Sequence, residues 1–161
     1  MRHRIRSLTN EDEPFLWEML SQALYVPAGE PSFPPEVVRQ PELSRYVAGW
    51  GRADDAGFVA LLEESFEPVG AVWIRLLQGA GRGYGYVDDA TPELTIALRP
   101  AARGKGVGTQ LLLEMLAAAR AKYPALSLSV SVESPARRLY QRFGFETVEQ
   151  TGASLTMKLE L

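Results

Sequence analysis

Apolar and polar positions change period several times along this chain, and each change marks a predicted element boundary. Ile5 and Leu8, set among arginines in Arg2 to Leu8, predict a short first strand, and Thr9-Asn10-Glu11-Asp12 supplies a helix cap with an acid three residues on. Phe15, Leu16, Met19, Leu20, Ala23 and Leu24 then recur at helical spacing and stop before Pro27. Between Val26 and Gln40, Pro27, Pro31, Pro34 and Pro35 with Gly29 forbid a long element, while Pro41 to Trp50 predicts a second short helix. In an enzyme this stretch would form a wall or a lid. Beyond Gly57 the pattern becomes strand-like: Phe58 to Leu62 and Val69 to Leu77 predict an antiparallel hairpin turned by Glu63 to Pro68. Gln78 to Gly85 is a glycine-rich connection, and Thr91 to Leu98 predicts a further strand, which ends before Pro100.

The clearest helix follows a glycine-rich turn, with Val107, Leu111, Leu112, Met115, Leu116 and Ala119 on one face and Tyr123-Pro124 as the stop. Leu126 to Val132 alternates Leu and Val with Ser as a strand does. Ser134-Pro135 then reads as an N-cap with proline at the first helical position, for a last helix that runs to Gly144. Phe145 to Gln150 and Ser154 to Leu161 predict a terminal strand pair joined through Thr151-Gly152-Ala153. The strand-helix-strand-helix order from Thr91 to Phe143 requires a crossover, hence at least one parallel pair in an otherwise antiparallel sheet. The expected class is α+β, with a mixed, mostly antiparallel central sheet of about six to seven strands flanked by about four helices. No repeat or linker interrupts the pattern, so residues 1–161 are expected to form a single domain.

Composition narrows the chemistry. With 46% hydrophobic and 23% charged residues the chain has the balance of a globular protein, which excludes disorder. It has no Cys, which excludes disulfides, thiolate metal sites and a Cys nucleophile, and fits a reducing cytoplasm. The single His, His3, lies in the terminal Arg-rich stretch, where it serves neither a Ser-His-Asp triad nor a metal cluster, so no metal is expected. No apolar run approaches the ~18 residues of a membrane span, and no secretory signal opens the chain. A soluble, cytoplasmic protein is expected, with no membrane partner. A net charge of −3 argues against a nucleic-acid partner. Locally the balance reverses: Leu94 to Leu113 holds no acid but contains Arg99, Arg103 and Lys105, which suggests a small anionic ligand.

That cationic stretch includes Arg103-Gly-Lys-Gly-Val-Gly108, set between a strand and the start of the best helix. Free N–H groups and the positive end of the helix dipole suit an anion there, and glycine lets the backbone approach phosphate oxygens closely. Lys105 precedes Gly106, so the turn is not a Walker A loop, and Thr109 stands where a dinucleotide fingerprint needs glycine. A plain glycine turn with solvated cations is the alternative.

Arg103-x-x-Gly106-x-Gly108, opening a long helix after a strand that ends in Arg-Pro, resembles the acyl-CoA pyrophosphate motif of the GNAT N-acetyltransferase superfamily. Val132-Glu-Ser-Pro-Ala-Arg-Arg-Leu-Tyr-Gln-Arg-Phe-Gly-Phe145 resembles that family's next motif, in the same order and spacing. Ser134 departs from it, since the family commonly has Asn there. The resemblance runs from about Phe58 to the C-terminus, with the first strand and two helices also in the family's order.

The resemblance implies transfer of an acetyl group from acetyl-CoA, as co-substrate, to an amine of a small molecule or of a peptide or protein. It assigns the pantetheine arm to the backbone of Ile96, Ala97 and Leu98, as an added strand. It assigns the pyrophosphate to the turn of Arg103, Gly104, Lys105, Gly106, Val107, Gly108 and Thr109, and brings Ser134 and Arg137 to the cofactor. Tyr140, at the family's tyrosine position and protonated at neutral pH, is the implied acid for the departing thiolate, beside the cofactor; a half-buried anchor for the helix is its bland alternative. Glu93, which opens the strand ending at Leu98, is the candidate base; an exposed strand-end carboxylate is the alternative, and Asp88 and Asp89 are rivals. Tyr25, Phe33, Tyr46, Trp50 and Trp73 read as core and receive no role. A non-catalytic acyl-CoA-binding sensor or regulatory module, and a general nucleotide-binding domain, are the competing functions. An exposed edge strand near the C-terminus is compatible with a homodimer, by analogy with similar proteins.

Overall fold

The computed structural model describes residues 2–161. Strands β1 (His3–Ser7), β2 (Ala56–Leu62), β3 (Pro68–Arg75), β4 (Glu93–Leu98), β5 (Ala125–Ser131), β6 (Glu146–Thr151) and β7 (Ser154–Glu160) form one sheet in the order β1-β2-β3-β4-β5-β7-β6. Helices α1 (Glu13–Ala23), α2 (Pro41–Ser44), α3 (Val107–Arg120) and α4 (Ala136–Arg142) flank it. The β4–β5 pair is parallel and α3 is its crossover, while the other pairs are antiparallel, as the element order required.

Strand alternation divides the interior into two cores. On one face Val72, Ile74, Leu126, Leu128, Leu155 and Met157 meet the apolar stripe of α3, Leu111, Leu112, Met115 and Leu116. On the other, Leu16, Met19 and Leu20 of α1, with Tyr46, Val47 and Trp50, cover Ala71, Trp73 and Ala97. β3 is therefore buried on both faces, which is why its sequence is apolar almost throughout. The predicted cap closes a single 3-10 turn, Asn10–Asp12, that leads into α1: the Thr9 N–H donates to the Asp12 carboxylate at 2.7 Å, and Arg6 grips the same carboxylate at 2.8 and 3.0 Å.

Most boundaries shift by one or two residues from the sequence reading. β3 stops at Arg75, two residues short of Leu77, and β4 starts at Glu93, two residues after Thr91. The larger change is α2, one turn long where Pro41 to Trp50 was expected. Side chains of β3 take the carbonyls that a longer helix would have used: Arg75 donates to Arg45 O and Ala48 O at 2.9 and 2.8 Å, and Trp73 Nε1 to Tyr46 O at 2.9 Å. Gly49, at φ +70°, then turns the chain away. At α4, regular helix is counted from Ala136, but Pro135 already has φ −66° and ψ −19°, and Ser134 Oγ accepts the Ala136 N–H at 3.2 Å, so the capping role holds.

Candidate active site

β4 and β5 share one register pair, Glu93 with Ser127, supported by the Ser127 N–H donating to Pro92 O at 3.0 Å. β4 stays paired with β3 as far as Leu98 opposite Gly70, but on its β5 side no partner follows Glu93. The sheet forks there, and along the backbone edge of Ile96, Ala97 and Leu98 the polar groups of Ile96 and Leu98 face the gap, available to an extended ligand, whereas those of Ala97 turn to β3. A Cβ added at Gly108 would lie 3.7 Å from Leu139 Cδ2 and 3.8 Å from Leu98 Cδ1, so the end of β4, the start of α3 and α4 converge at the mouth of the fork.

The turn from Arg103 to Thr109 stands at that mouth. Gly104 and Gly106 have φ of +73° and +81°, and nothing lies within 4 Å of where their Cβ atoms would be. Glycine is required by the backbone there, and the space beside it is open. The first regular α3 bond is Gln110 N–H to Gly106 O at 3.1 Å, so the amides of Val107, Gly108 and Thr109 are the orphan donors of the helix start. The Arg103 amide is already used, donating to Pro100 O at 3.2 Å. Of the cations counted in the sequence, Arg99 is structural: it grips Glu18 at 2.6 and 2.9 Å, reaches Glu67 at 3.3 Å and lies 5.3 Å above the Phe15 ring. Arg103 is tied through the neutral Gln22 at 3.0 Å, and Lys105 makes no ion pair among the described residues.

α4 forms the other wall. Val132, Glu133, Ser134, Pro135, Arg137 and Arg138 line a shallow pocket at its start. Arg137 is half-buried and folds back to Val132 O at 3.0 Å, whereas Arg138 and Arg142 are exposed. Tyr140 is 8% exposed and packs edge-on against Phe145, with ring centroids 6.0 Å apart. Burial pushes its phenol up to about 12, so it is a proton donor at neutral pH.

Glu93 is 4% exposed, which removes the exposed strand-end alternative. Its Oε2 accepts the Tyr46 hydroxyl at 2.7 Å, and Oε1 has no hydrogen-bond partner among the described residues. Burial holds its carboxyl above the usual glutamate range, and the Tyr46 hydroxyl, the Gly85 backbone and Arg45 offset that rise only in part. A Cβ at Gly83 would come within 2.3 Å of Glu93 Oε1 and 2.4 Å of the Tyr46 hydroxyl, and one at Gly85 within 2.7 Å of the Leu128 backbone. The glycine-rich β3–β4 connection thus seals the fork over Glu93. The rival carboxylates are committed elsewhere: Asp88 accepts Thr91 Oγ1 at 2.7 Å and the Ala90 amide at 2.9 Å, which hold its proton affinity down, and Asp89 accepts the Tyr86 hydroxyl at 2.7 Å.

Tyr46, Gly83 and Gly85 were missed by the sequence reading. A buried tyrosine 47 residues from its carboxylate partner leaves no local signal. A faint one existed at Arg75, a charge inside the apolar run Val69 to Leu77, which the structure shows paired with Asp55 at 3.0 Å.

Among the described residues no helix is long and apolar enough to cross a membrane. Several solved structures share the fold. The paia N-acetyltransferase from Thermoplasma acidophilum, solved in complex with coenzyme A, is 19% identical over 100% of both chains, with a TM-score of 0.70. An N-acetyltransferase from Staphylococcus aureus Mu50 is 21% identical over 99% of both chains (TM-score 0.69), and the ribosomal-protein-alanine N-acetyltransferase from Brucella melitensis is 24% identical over 98% of this chain and 99% of that one (TM-score 0.64). No curated protein matches the sequence significantly. The profile of the Acetyltransferase (GNAT) family matches residues 5–145, a span that runs from β1 through α4 and contains both motifs, the fork and Glu93, and the chain belongs to that family.

Proposed function

We propose that this protein transfers an acetyl group from acetyl-CoA to an amine, within one domain spanning residues 1–161. The fork carries the reading: a β4 edge left without a partner leads straight to a helix N-terminus flanked by open, left-handed glycines. Ile96 and Leu98 hold the pantetheine amides as an added strand would, with Ala97 between them bonded to β3. The amides from Gly104 to Thr109 take the pyrophosphate, with Arg103 and Lys105 adding charge at the rim. Ser134 and Arg137 face the arm from α4. Ser134 Oγ accepts the Ala136 amide and so fixes the helix start, and its O–H proton is left to donate to the arm.

The chemistry assigned to the chain has three proton transfers handled by two groups. Glu93 accepts the proton that the acceptor ammonium sheds; the amine lone pair then attacks the thioester carbonyl carbon. As the C–S bond breaks, Tyr140 donates its phenolic proton to the thiolate and regains one from the nitrogen of the collapsing adduct. The raised proton affinity of Glu93 suits abstraction near neutrality, and the raised Tyr140 value keeps the donor loaded.

Calorimetric titration with acetyl-CoA, with ATP and NAD as controls, tests the donor half before any acceptor is known. Micromolar binding of acetyl-CoA that is lost in Gly106→Glu, followed by thiol release in a screen of amines, is the expected result. Binding without turnover would leave a non-catalytic acyl-CoA module, and no binding by the folded protein would end the proposal.

A further inference from the structure

Building on the reading of Glu93 as the base, we propose that Tyr46 is a positioning residue that locks one oxygen of Glu93 and leaves the other, packed beneath Gly83, as the oxygen that takes the proton, with Trp73 and Arg75 as the clamp that holds Tyr46. The direction of each bond follows from the donors. The Tyr84 amide, which can only donate, reaches the Tyr46 hydroxyl oxygen at 2.8 Å, so the single hydroxyl proton is left for Glu93 Oε2 at 2.7 Å. Oε1 makes no well-formed hydrogen bond, although the Gly85 backbone amide lies close enough to favour the charged carboxylate, and that is costly for a buried carboxylate unless a ligand meets it there.

The clamp is unusually complete. Trp73 Nε1 holds Tyr46 O at 2.9 Å, while Arg75 holds Arg45 O and Ala48 O at 2.9 and 2.8 Å. Arg75 is itself fixed by both oxygens of Asp55 at 3.0 Å, and Asp55 also accepts the amides of Gly51 and Arg52 at 3.0 and 2.9 Å. Arg75 stands directly opposite Glu93 in the β3–β4 register, so clamp and base ride on cross-strand neighbours. Asp55 neutralises that guanidinium, leaving the Tyr46 hydroxyl as the side-chain group that binds Glu93 directly, with the Gly85 amide as its backbone neighbour.

The other groups around Glu93 are more remote or uncharged. Arg45 lies on the same segment as Tyr46, and Arg82 of the β3–β4 connection stacks on Tyr86. Ser127 pairs with Glu93 on β5; beyond it Lys158 of β7 is engaged by Glu160 at 3.0 Å and also acts on Asp88.

Removal of the Tyr46 hydroxyl takes a hydrogen bond from the charged form of Glu93, so Tyr46→Phe is expected to raise its proton affinity. The acid limb of the kcat/KM profile then moves to higher pH, with about tenfold less turnover on that limb, a retained plateau at high pH and unchanged acetyl-CoA affinity. A merely structural role would lower activity at all pH values alike, and that outcome would overturn the proposal. An arm independent of activity uses the wild-type protein with 13C-labelled Glu carboxyl and Tyr ring carbons, with Glu93→Gln to assign the Glu93 signal. The Tyr46 Cζ shift is expected to titrate with the same midpoint as Glu93, and a Tyr46 signal indifferent to that midpoint would overturn the proposal even if Tyr46→Phe failed to fold. If Glu93→Gln keeps full turnover, the base assignment fails, while the coupled titration still decides whether Tyr46 holds Glu93.

Discussion

Two sets of glycines border the fork, and they are glycines for opposite reasons. Gly104 and Gly106 sit at φ of +73° and +81° with nothing within 4 Å of a Cβ position, so their constraint is backbone conformation and their surroundings are open. Gly83 and Gly85 have ordinary φ, but a Cβ would strike Glu93 Oε1 at 2.3 Å or the Leu128 backbone at 2.7 Å, so their constraint is space. The first pair shapes a surface that a phosphate can approach, whereas the second closes a joint over a buried carboxylate. The proposed donor half of the site is therefore built from local conformation, and the proposed acceptor half from packing between distant segments.

The widest separation of the two halves is expected from Glu93→Gln, which removes the base and should lower kcat by about 10²- to 10⁴-fold while leaving the calorimetric affinity for acetyl-CoA unchanged. Tyr140→Phe is expected next, with kcat reduced by about ten- to a hundredfold and little change in acetyl-CoA binding; an unchanged kcat would take Tyr140 out of the mechanism. The glycine contrast gives a smaller and opposed pair. Gly83→Ala presses on Glu93 and Tyr46 and should lower kcat while sparing acetyl-CoA affinity. Gly104→Ala should do the reverse, weakening acetyl-CoA binding through a strained left-handed alanine that costs about 1–2 kcal/mol. If both variants moved the same parameter, the division between the two halves would fail.

The smallest effect is thermodynamic. Because burial raises the proton affinity of Glu93, the folded protein keeps that proton over a range where the unfolded chain, with its value near 4.5, has released it. Stability is then lost as pH rises from that value through the folded one. Glu93→Gln should melt at a higher temperature than wild type at neutral pH, with the difference closing below pH 4.5. Equal melting temperatures at neutral pH would show that the carboxylate sits there without strain.

Readability in the sequence followed the same division. The turn before α3 was visible because an apolar stripe at helical spacing starts where Arg103-Gly-Lys-Gly-Val-Gly108 ends, and α3 runs from Val107 to Arg120. The α4 wall was visible because Ser134-Pro135 is a local capping signal, and the structure keeps the bond from the Ala136 amide to Ser134 Oγ. Glu93 could be singled out but not settled, since nothing adjacent to it says whether it is exposed. Its burial is set by Tyr46 and Gly83, which arrive from other segments. The expected helix through Trp50 failed for the same reason: Trp73 and Arg75 of β3 compete for its carbonyls, and helical periodicity cannot report a competitor that far along the chain.

The order of strands and helices, the parallel crossover and the glycine turn before α3 are written locally, because hydrophobic period, caps and left-handed glycines act over a few residues. Where the sheet forks, that Arg99 serves Glu18, and that Tyr46 meets Glu93 were settled by packing between distant segments. Those outcomes depend on β-strand register and on polar groups finding partners across the core, where a buried donor or acceptor must be satisfied by whichever segment the fold brings to it.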